Sequence, residues 1–451
     1  MTIRFTNTLG GAKEPFEPLH PPRVGIYVCG PTVYDTPHIG NARPEVVFDV
    51  LRRHLRRRGY DVFLVRNYTD IDDKIINRAR EENVDWAVIA DRYIRAYEEA
   101  MDALGVERPD VAPRATGHLL EMQALIADLV EQGFAYAAEG SVYYSVEKFG
   151  DYGKLAGRSL DDLVARERVE PAPGKHHTFD FALWKGAKPA EPSWPSPWGP
   201  GRPGWHIECS AMVERYLGVP FDIHGGGADL IFPHHENEIA QSQAIRGGFA
   251  RWWLHNGMIQ IRSEKISKSL RNYVLVPEAL EDYAPQVLRL FILGAHYRSQ
   301  ASYGPEALDE ARSIWERFRA FLRAAPSGGV TGDLLDGFDE AMDDDLNTPK
   351  AIAELHAITS EGNKAIESGD AAKAATARAA LVEGLGVLGC EPDEGSSGRD
   401  VVGPLVEALL EQREQARAAK EFERADAIRD RLAQIGVTVE DSAEGPRWHV
   451  Q

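Results

Sequence analysis

An apolar strand, a one-faced helix and a second apolar strand follow one another near the N-terminus, and that order forces a parallel sheet. Gly25–Cys29 reads as a short buried strand. From Glu45 to Arg58, Val46, Val47, Val50, Leu51 and Leu55 share one helical face, with arginines opposite. Asp61–Arg66 is the next strand. Strands joined through a helix cannot pair as a hairpin; they lie parallel, as in a βαβ unit.

Downstream, Trp86 to Gly133 carries helical periodicity, and Gly140–Ser145 reads as a strand in a separate insert. Pro and Gly cluster between Pro171 and Gly204, including Pro195, Pro197, Pro200 and Pro203, which predicts a surface excursion without regular structure. Phe221–His224 and Trp252–His255 then resume the strand pattern around a helix from Leu230 to Arg246. Beyond Pro277 the chain reads as helical, Ala-rich from Asn363 to Leu388. A polar linker is expected at Gly395–Gly403, then a last helix, Leu405–Leu432, and a short strand, Val437–Val439. The expected fold is therefore α/β: a Rossmann-like parallel sheet split by a connective insert, followed by an α-helical bundle and a small C-terminal domain. Its boundaries fall at residues 1–114, 115–205, 206–300, 301–393 and 394–451.

Composition narrows the function more than the fold. Seventy acidic against fifty-one basic residues give a formal charge of −19, which argues against indiscriminate binding to nucleic acid. A local basic face within an acidic whole remains compatible with an RNA partner. Three cysteines, Cys29, Cys209 and Cys390, are too few and too dispersed for a disulfide framework, so they are either buried fillers or functional thiolates. No apolar run approaches the ~20 residues of a membrane span. Met1–Phe5 lacks the apolar core of a signal peptide, so a cytoplasmic protein is expected.

Three constellations carry chemistry. Pro37-His38-Ile39-Gly40-Asn41 lies between the first strand and the first helix, where open α/β sheets bind ligands. A helix N-terminus there offers N–H groups to phosphate, His38 adds a donor, and Gly40 permits close approach. A turn histidine beside a turn glycine fits the same letters. Lys265-Ile266-Ser267-Lys268-Ser269 follows the strand expected at Met258–Ile261; it reads either as a cationic clamp for a polyphosphate or as an ordinary solvated loop. Cys29, Cys209, His234 and Glu238 form a chemically sound zinc set, His234 and Glu238 sharing a helix face at a spacing of four. Two buried cysteines and a polar helix start is the plainer account of that third group, because no short metal motif links them.

The combination is more specific than its parts. His38-Ile39-Gly40-Asn41 resembles the HIGH signature, and Lys265–Ser269 the KMSKS signature, of class I aminoacyl-tRNA synthetases. The family's first motif ends in a second histidine where this chain has Asn41, whose amide donates a hydrogen bond but cannot become cationic. Tyr27–Asp35, Gly204–Ser210, Asp222–Leu230 and Phe232–Glu238 further resemble the cysteinyl-tRNA synthetases over nearly the whole chain.

That resemblance implies activation of L-cysteine with ATP and transfer to the 3′-terminal adenosine of tRNA(Cys). One Zn²⁺ would be held by Cys29, Cys209, His234 and Glu238 and would bind the substrate thiolate; Mg²⁺ would accompany ATP. His38, Asn41, Lys265 and Lys268 are the implied catalytic residues. His38, Gly40, Asn41, Gly226, Asp229 and Lys268 are implied to bind ATP, and Gly30, Thr32, Thr69 and Trp205 the amino acid. Gly225–Gly227 also fits a glycine turn capping a helix, and Trp205 also fits a core tryptophan. The resemblance further implies a tRNA-binding helical bundle, an anticodon-reading C-terminal domain, and a monomer.

His206, His224 and His235 are read as structural, and Cys390 as a buried filler. The run Arg52, Arg53, Arg56, Arg57 and Arg58 fits either a tRNA-facing patch or a solvated helix face. Two other readings are weighed. A cysteine ligase of mycothiol biosynthesis resembles the first ~300 residues in kind, whereas the tail around Lys420–Asp430 resembles the synthetases. A catalytically dead, zinc-containing RNA-binding paralogue would lack the signature motifs.

Overall fold

The structure, a computed structural model, describes residues 2–160, 162, 173–261, 274–392, 396–419, 421–434, 437–442 and 445–450. Two compact units are present, residues 1–391 and 392–451.

In the first unit, β1 (Arg4–Thr6) and β2 (Lys13–Pro15) form a small antiparallel ladder before β3 (Arg23–Val28) enters the main sheet. Helix α1 (Ile39–Arg57) buries Val46, Val47, Val50, Leu51 and Leu55 and returns the chain to β4 (Asp61–Arg66), parallel to β3. This is the expected βαβ unit, but α1 starts about two turns earlier than its apolar stripe. Its first turn is fixed by a cap at His38 as well as by burial of Ile39 and Ala42 in the core. Helices α2 (Asp73–Glu82), α3 (Trp86–Ala103) and α4 (Leu119–Glu131) follow.

The chain then leaves the sheet. Strands β5 (Ala135–Ala138), β6 (Ser141–Tyr144), β7 (Phe181–Gly186) and β8 (Gly201–Pro203) make a separate antiparallel sheet in that order. The Pro/Gly-rich stretch is therefore not merely a surface excursion. It supplies β7 and a fully buried β8, and Pro203 is tolerated because β8 is an edge strand whose outer side needs no ladder donor.

After α5 (Trp205–Tyr216), β9 (Phe221–Gly227) re-enters the main sheet beside β3, and α6 (Glu236–Arg246) leads to β10 (Ala250–Asn256). The main sheet has the order β10-β9-β3-β4, every pair parallel. The insert thus splits one continuous sheet. Strand β11 (Ile259–Ile261) pairs with β12 (Ala301–Tyr303), with α7 (Val276–Asp282) and α8 (Pro285–Leu293) between them.

Helices α9 (Pro305–Ala324), α10 (Asp336–Asp343), α11 (Thr348–Glu367) and α12 (Ala371–Val387) complete the unit. Their apolar faces share one core with α1 and the sheet, ending at Cys390, which is fully buried. The arginines at the end of α1 are engaged in ion pairs, Arg52 buried and Arg56 exposed. Arg57 makes a bidentate pair with Asp339 (2.7 and 2.9 Å) and also pairs with Glu383; Arg58 meets Asp343 at 3.0 Å. Arg53 reaches Glu391, and Arg52 and Arg56 hold Asp110 and Glu107. Arg57 and Arg58 thus tie the sheet's first helix to the helical bundle, while Arg52 and Arg56 tie it to the segment after α3.

The second unit comprises α13 (Ser396–Ala418), α14 (Phe422–Gln434) and the hairpin β13 (Val437–Ser442) and β14 (Gly445–Val450), around Val406, Leu410, Leu432 and Val439. Most of the linker expected at 395–403 is the first part of α13. The single helix expected over Leu405–Leu432 is two helices, one ending at Ala418 and the next beginning at Phe422.

Candidate active site and metal centre

The carboxyl ends of β3, β4 and β9 converge, and the residues singled out in the sequence lie just beyond them. His38 is the N-cap of α1: its Nδ1 accepts the Asn41 backbone N–H at 3.3 Å, while the Asn41 Oδ1 accepts the His38 N–H at 3.1 Å. Burial lowers the His38 pKa, favouring a neutral imidazole; with Nδ1 accepting, its proton sits on Nε2. A Cβ on residue 40 would stand 2.9 Å from the His38 ring, so Gly40 leaves room for that ring. The Asn41 side chain is thus part of the helix cap.

Lys265 and Lys268 lie outside the described residues. The chain on either side of them is tied to α1. Before them, the Arg43 guanidinium donates to the carbonyls of Met258 (2.9 Å) and Ser299 (2.6 Å). After them, the Val274 carbonyl accepts from Ile39 N–H at 3.0 Å, and Val276 N–H donates to Pro37 at 2.9 Å.

Cys29 follows β3, Cys209 sits on α5, His234 in the turn Ile231–His235, and Glu238 in the first turn of α6. Their ligand atoms lie within 4.8 Å of one another. Cys29 Sγ is 3.5 Å from both Cys209 Sγ and Glu238 Oε1, and His234 Nε2 is 3.1 Å from Glu238 Oε1. A tetrahedral ion with bonds of about 2.3 Å to sulfur and about 2.0 Å to nitrogen or oxygen spaces its ligands roughly 3.3–3.8 Å apart. The donor set fits such an ion. Burial holds His234 neutral, the form that ligates, and pushes both thiols up, so an ion must replace their protons. A second set, Cys29, His224, His235 and Glu238, shares two of these residues.

The histidines read as structural surround this cluster. His224 Nε2 lies 2.8 Å from Glu238 Oε2, and His206 Nδ1 lies 2.9 Å from His234 Nδ1. His235 Nε2 is 3.3 Å from Cys29 Sγ, His235 Nδ1 2.8 Å from His255 Nε2, and His255 Nδ1 2.8 Å from Thr8 Oγ1. A thiolate at Cys29 fixes the whole chain: His235 donates to sulfur, His255 donates to His235, and Thr8 donates to His255.

The remaining predicted residues frame the opening. Gly30 N–H donates to Asn67 Oδ1 at 2.9 Å, and a Cβ there would come within 1.6 Å of the Asn67 carbonyl oxygen. Thr32 bridges Thr69, whose hydroxyl donates to Glu208 at 2.7 Å. Trp205, half-buried, stacks on His234 at 4.1 Å and 23°. Gly226 is buried within β9, and Asp229 is exposed just beyond it. Sequence reasoning passed over Glu208, Asn67 and Tyr27, all buried here. Glu208 is held well above the usual carboxylate range by burial. Tyr27 stands on β3 two positions before Cys29, and that spacing of two was the available signal.

Comparison with known proteins agrees with this arrangement. Residues 15–313 match the family model described as tRNA synthetases class I (C) catalytic domain. Residues 337–390 match a DALR domain, and residues 400–448 a cysteinyl-tRNA ligase anticodon binding domain. Fold and matched domains together define a class I aminoacyl-tRNA synthetase. Among solved structures, the fold is similar to Mycobacterium tuberculosis methionyl-tRNA synthetase in complex with methionyl-adenylate, at TM-score 0.59 and 17% identity, covering 81% of this chain and 89% of that one. It is also similar to a ternary complex of Agrobacterium radiobacter K84 LeuRS, at TM-score 0.61 and 12% identity, covering 83% and 84%. The cysteine--tRNA ligase of Halorhodospira halophila is 50% identical over 99% of both chains, and that of Desulfovibrio desulfuricans 48% over 99% of both. The chain belongs to the cysteine--tRNA ligase family.

Proposed function

We propose that this chain activates L-cysteine with ATP, forming cysteinyl-adenylate and pyrophosphate, and transfers the cysteinyl group to the 3′-terminal adenosine of tRNA(Cys). The observation that carries the word cysteine is the convergence of Cys29, Cys209, His234 and Glu238 beyond the carboxyl ends of the sheet strands. Two sulfurs, an imidazole and a carboxylate favour Zn²⁺, and of the two donor sets the one with both thiols matches that preference. Zinc bound there supplies a Lewis acid that takes a thiolate far better than a hydroxyl and lowers the thiol's pKa.

The other residues bind and orient. His38 and the N-terminus of α1 hold the phosphates of Mg-ATP with Gly40, Asn41, Lys265 and Lys268. Gly226 admits the adenosine and Asp229 meets its ribose. Gly30, Thr32, Thr69 and Trp205 position the amino acid, so that its carboxylate oxygen attacks the α-phosphorus as the bond to pyrophosphate breaks. A terminal hydroxyl of the tRNA then attacks the acyl carbon and AMP leaves. We assign residues 1–114 and 206–300 to the catalytic body, 115–205 to the insert, 301–393 to tRNA binding and 394–451 to anticodon recognition, in a cytoplasmic monomer. Among the described residues no helix is long and apolar enough to cross a membrane.

Cysteine-dependent exchange of pyrophosphate into ATP, followed by charging of tRNA(Cys), tests the reading with metal-stripped and zinc-restored protein. Both reactions should fall on stripping and return with zinc. Serine activated within tenfold of cysteine would overturn the metal's role in selection. Exchange without transfer to tRNA would favour a ligase acting on another acceptor.

A further inference from the structure

Four carbonyl oxygens from two separate stretches of chain converge on one guanidinium. Arg43 stands on α1, one turn along from Ile39, and its side chain is fully buried. Its Nη1 donates to the Met258 carbonyl at 2.9 Å. Its Nη2 meets the carbonyls of Ser299 at 2.6 Å, His296 at 3.3 Å and Tyr297 at 3.4 Å. No carboxylate pairs with it among the described residues. Burial alone acts on it, lowering its pKa to about 10, so it stays a cation at neutral pH. A buried cation held only by carbonyl dipoles is an expensive arrangement. Nor do the carbonyls require it. Met258 already accepts from Ala301 N–H at 3.1 Å, His296 from Ser299 at 2.9 Å and Tyr297 from Gly257 at 2.8 Å.

What the guanidinium does is join. Met258 leads into β11, and His296–Ser299 leads into β12, the strand that pairs with it. These two stretches are pressed together, since a Cβ on residue 257 would stand 2.3 Å from the Ser299 carbonyl oxygen. On their far side the Tyr297 hydroxyl and Arg298 Nε each donate to the buried Asp345 at 2.9 Å, so the turn has an anchor of its own. Arg43 links that assembly to α1. The returning chain is tied to the same helix end by backbone alone: His38 bridges Leu275, and Ile39 N–H donates to the Val274 carbonyl at 3.0 Å. Lys265 and Lys268 fall between these two ties in the sequence.

We propose that Arg43 is a positioning residue for the activation step: by gripping the carbonyls of Met258, His296, Tyr297 and Ser299, it fixes the stretch that leads to Lys265 and Lys268 against the end of α1 assigned to ATP. This rests on the ATP reading above. Lysines stabilise developing phosphate charge only from the right place, and a misplacement of about 1 Å costs on the order of a hundredfold in rate. A forked guanidinium spans carbonyls of two segments with two nitrogens. A lysine carries the same charge on a single nitrogen and spans less.

The test compares Arg43→Lys, which keeps the charge, with Arg43→Gln, which removes it. Cysteine-dependent pyrophosphate exchange by the full, zinc-supplied chain gives kcat and KM, and the burst of adenylate formation counts active sites. Thermal midpoints and bound zinc are read alongside. Both variants should lose roughly ten- to hundred-fold in kcat per active site. Their KM for cysteine and their zinc content should match wild type, because the candidate metal ligands lie on other segments. Either variant at the wild-type rate per site would overturn the proposal; if only the glutamine variant slowed, charge rather than span would be at work. A loss confined to the midpoint or to the number of active sites would also overturn it, as would a lysine variant that does not fold, since each makes the guanidinium a packing element. A wild-type chain without cysteine-dependent exchange would instead overturn the functional reading, and this link with it.

Discussion

The Thr69 hydroxyl donates a hydrogen bond to the buried Glu208 carboxyl, so the two residues stand or fall together. Thr69→Val keeps the shape and removes the donor, leaving a buried acid without that partner. A loss of about 1–3 kcal/mol in urea unfolding is expected, with a raised KM for cysteine in pyrophosphate exchange. Thr69→Ser should restore most of both. Thr69 was visible in the sequence because it lies just past a strand; Glu208 was not, because the contact spans 139 residues and nothing local marks a buried acid. Asn41 shows a different gap. Its position in the motif was legible, whereas its use in capping α1 depends on backbone geometry that the letters do not carry.

Helix α1 carries His38 at one end and its cluster of arginines at the other. Between them, the fully buried Arg289 of α8 donates to Asp49 of α1 and to the carbonyls of Leu388 and Leu104. Arg289→Met should cost roughly 3–5 kcal/mol in chemical denaturation, since the buried Asp49 would keep only its ion pair with Arg53 and the carbonyls of Leu388 and Leu104 would lose their donor. The outer end is also sensitive to acid. Thr331 and the Arg57 guanidinium hold the Glu383 carboxyl below its usual value of 4.5. A pKa lowered by folding means stability present above the unfolded value and lost as pH falls through the folded one. The thermal midpoint should therefore drop below about pH 4.5, and Glu383→Gln should fall less steeply over that range. The apolar stripe of α1 was plain in the sequence, but the ion pairs of its arginines were not, because the partner of Arg57 lies 282 residues away and those of Arg52 and Arg56 lie 58 and 51 away. The Pro/Gly segment misled for another reason: Pro203 breaks a central strand and suits an edge, and edge position is a property of the sheet, not of the residue.

Two compact units make a prediction that belongs to the whole chain. A protein ending at Glu391 keeps the sheet, the donor cluster and the α1 cap. It should activate cysteine with ATP at close to the full-length rate while its kcat/KM for charging tRNA(Cys) falls by at least about tenfold. Unimpaired charging would show that residues 392–451 do not read the tRNA. At this scale the alternation of strand and helix was readable from periodicity, because each element buries one face. Which strand neighbours which was not, since the β10-β9-β3-β4 order is set by pairing across the insert.

That interrupted sheet also sets a timetable for synthesis. Cys29 leaves the ribosome early, whereas Glu238 lies 209 residues behind it. At roughly 5–20 residues per second, the first sulfur waits about 10–40 s for the rest of its pocket. During that interval the nascent segment has neither β9 beside it nor the histidines that enclose it, so its thiol is open to oxidants and to stray metal ions. Newly made protein, rather than the mature enzyme, is where damage at this cysteine should concentrate.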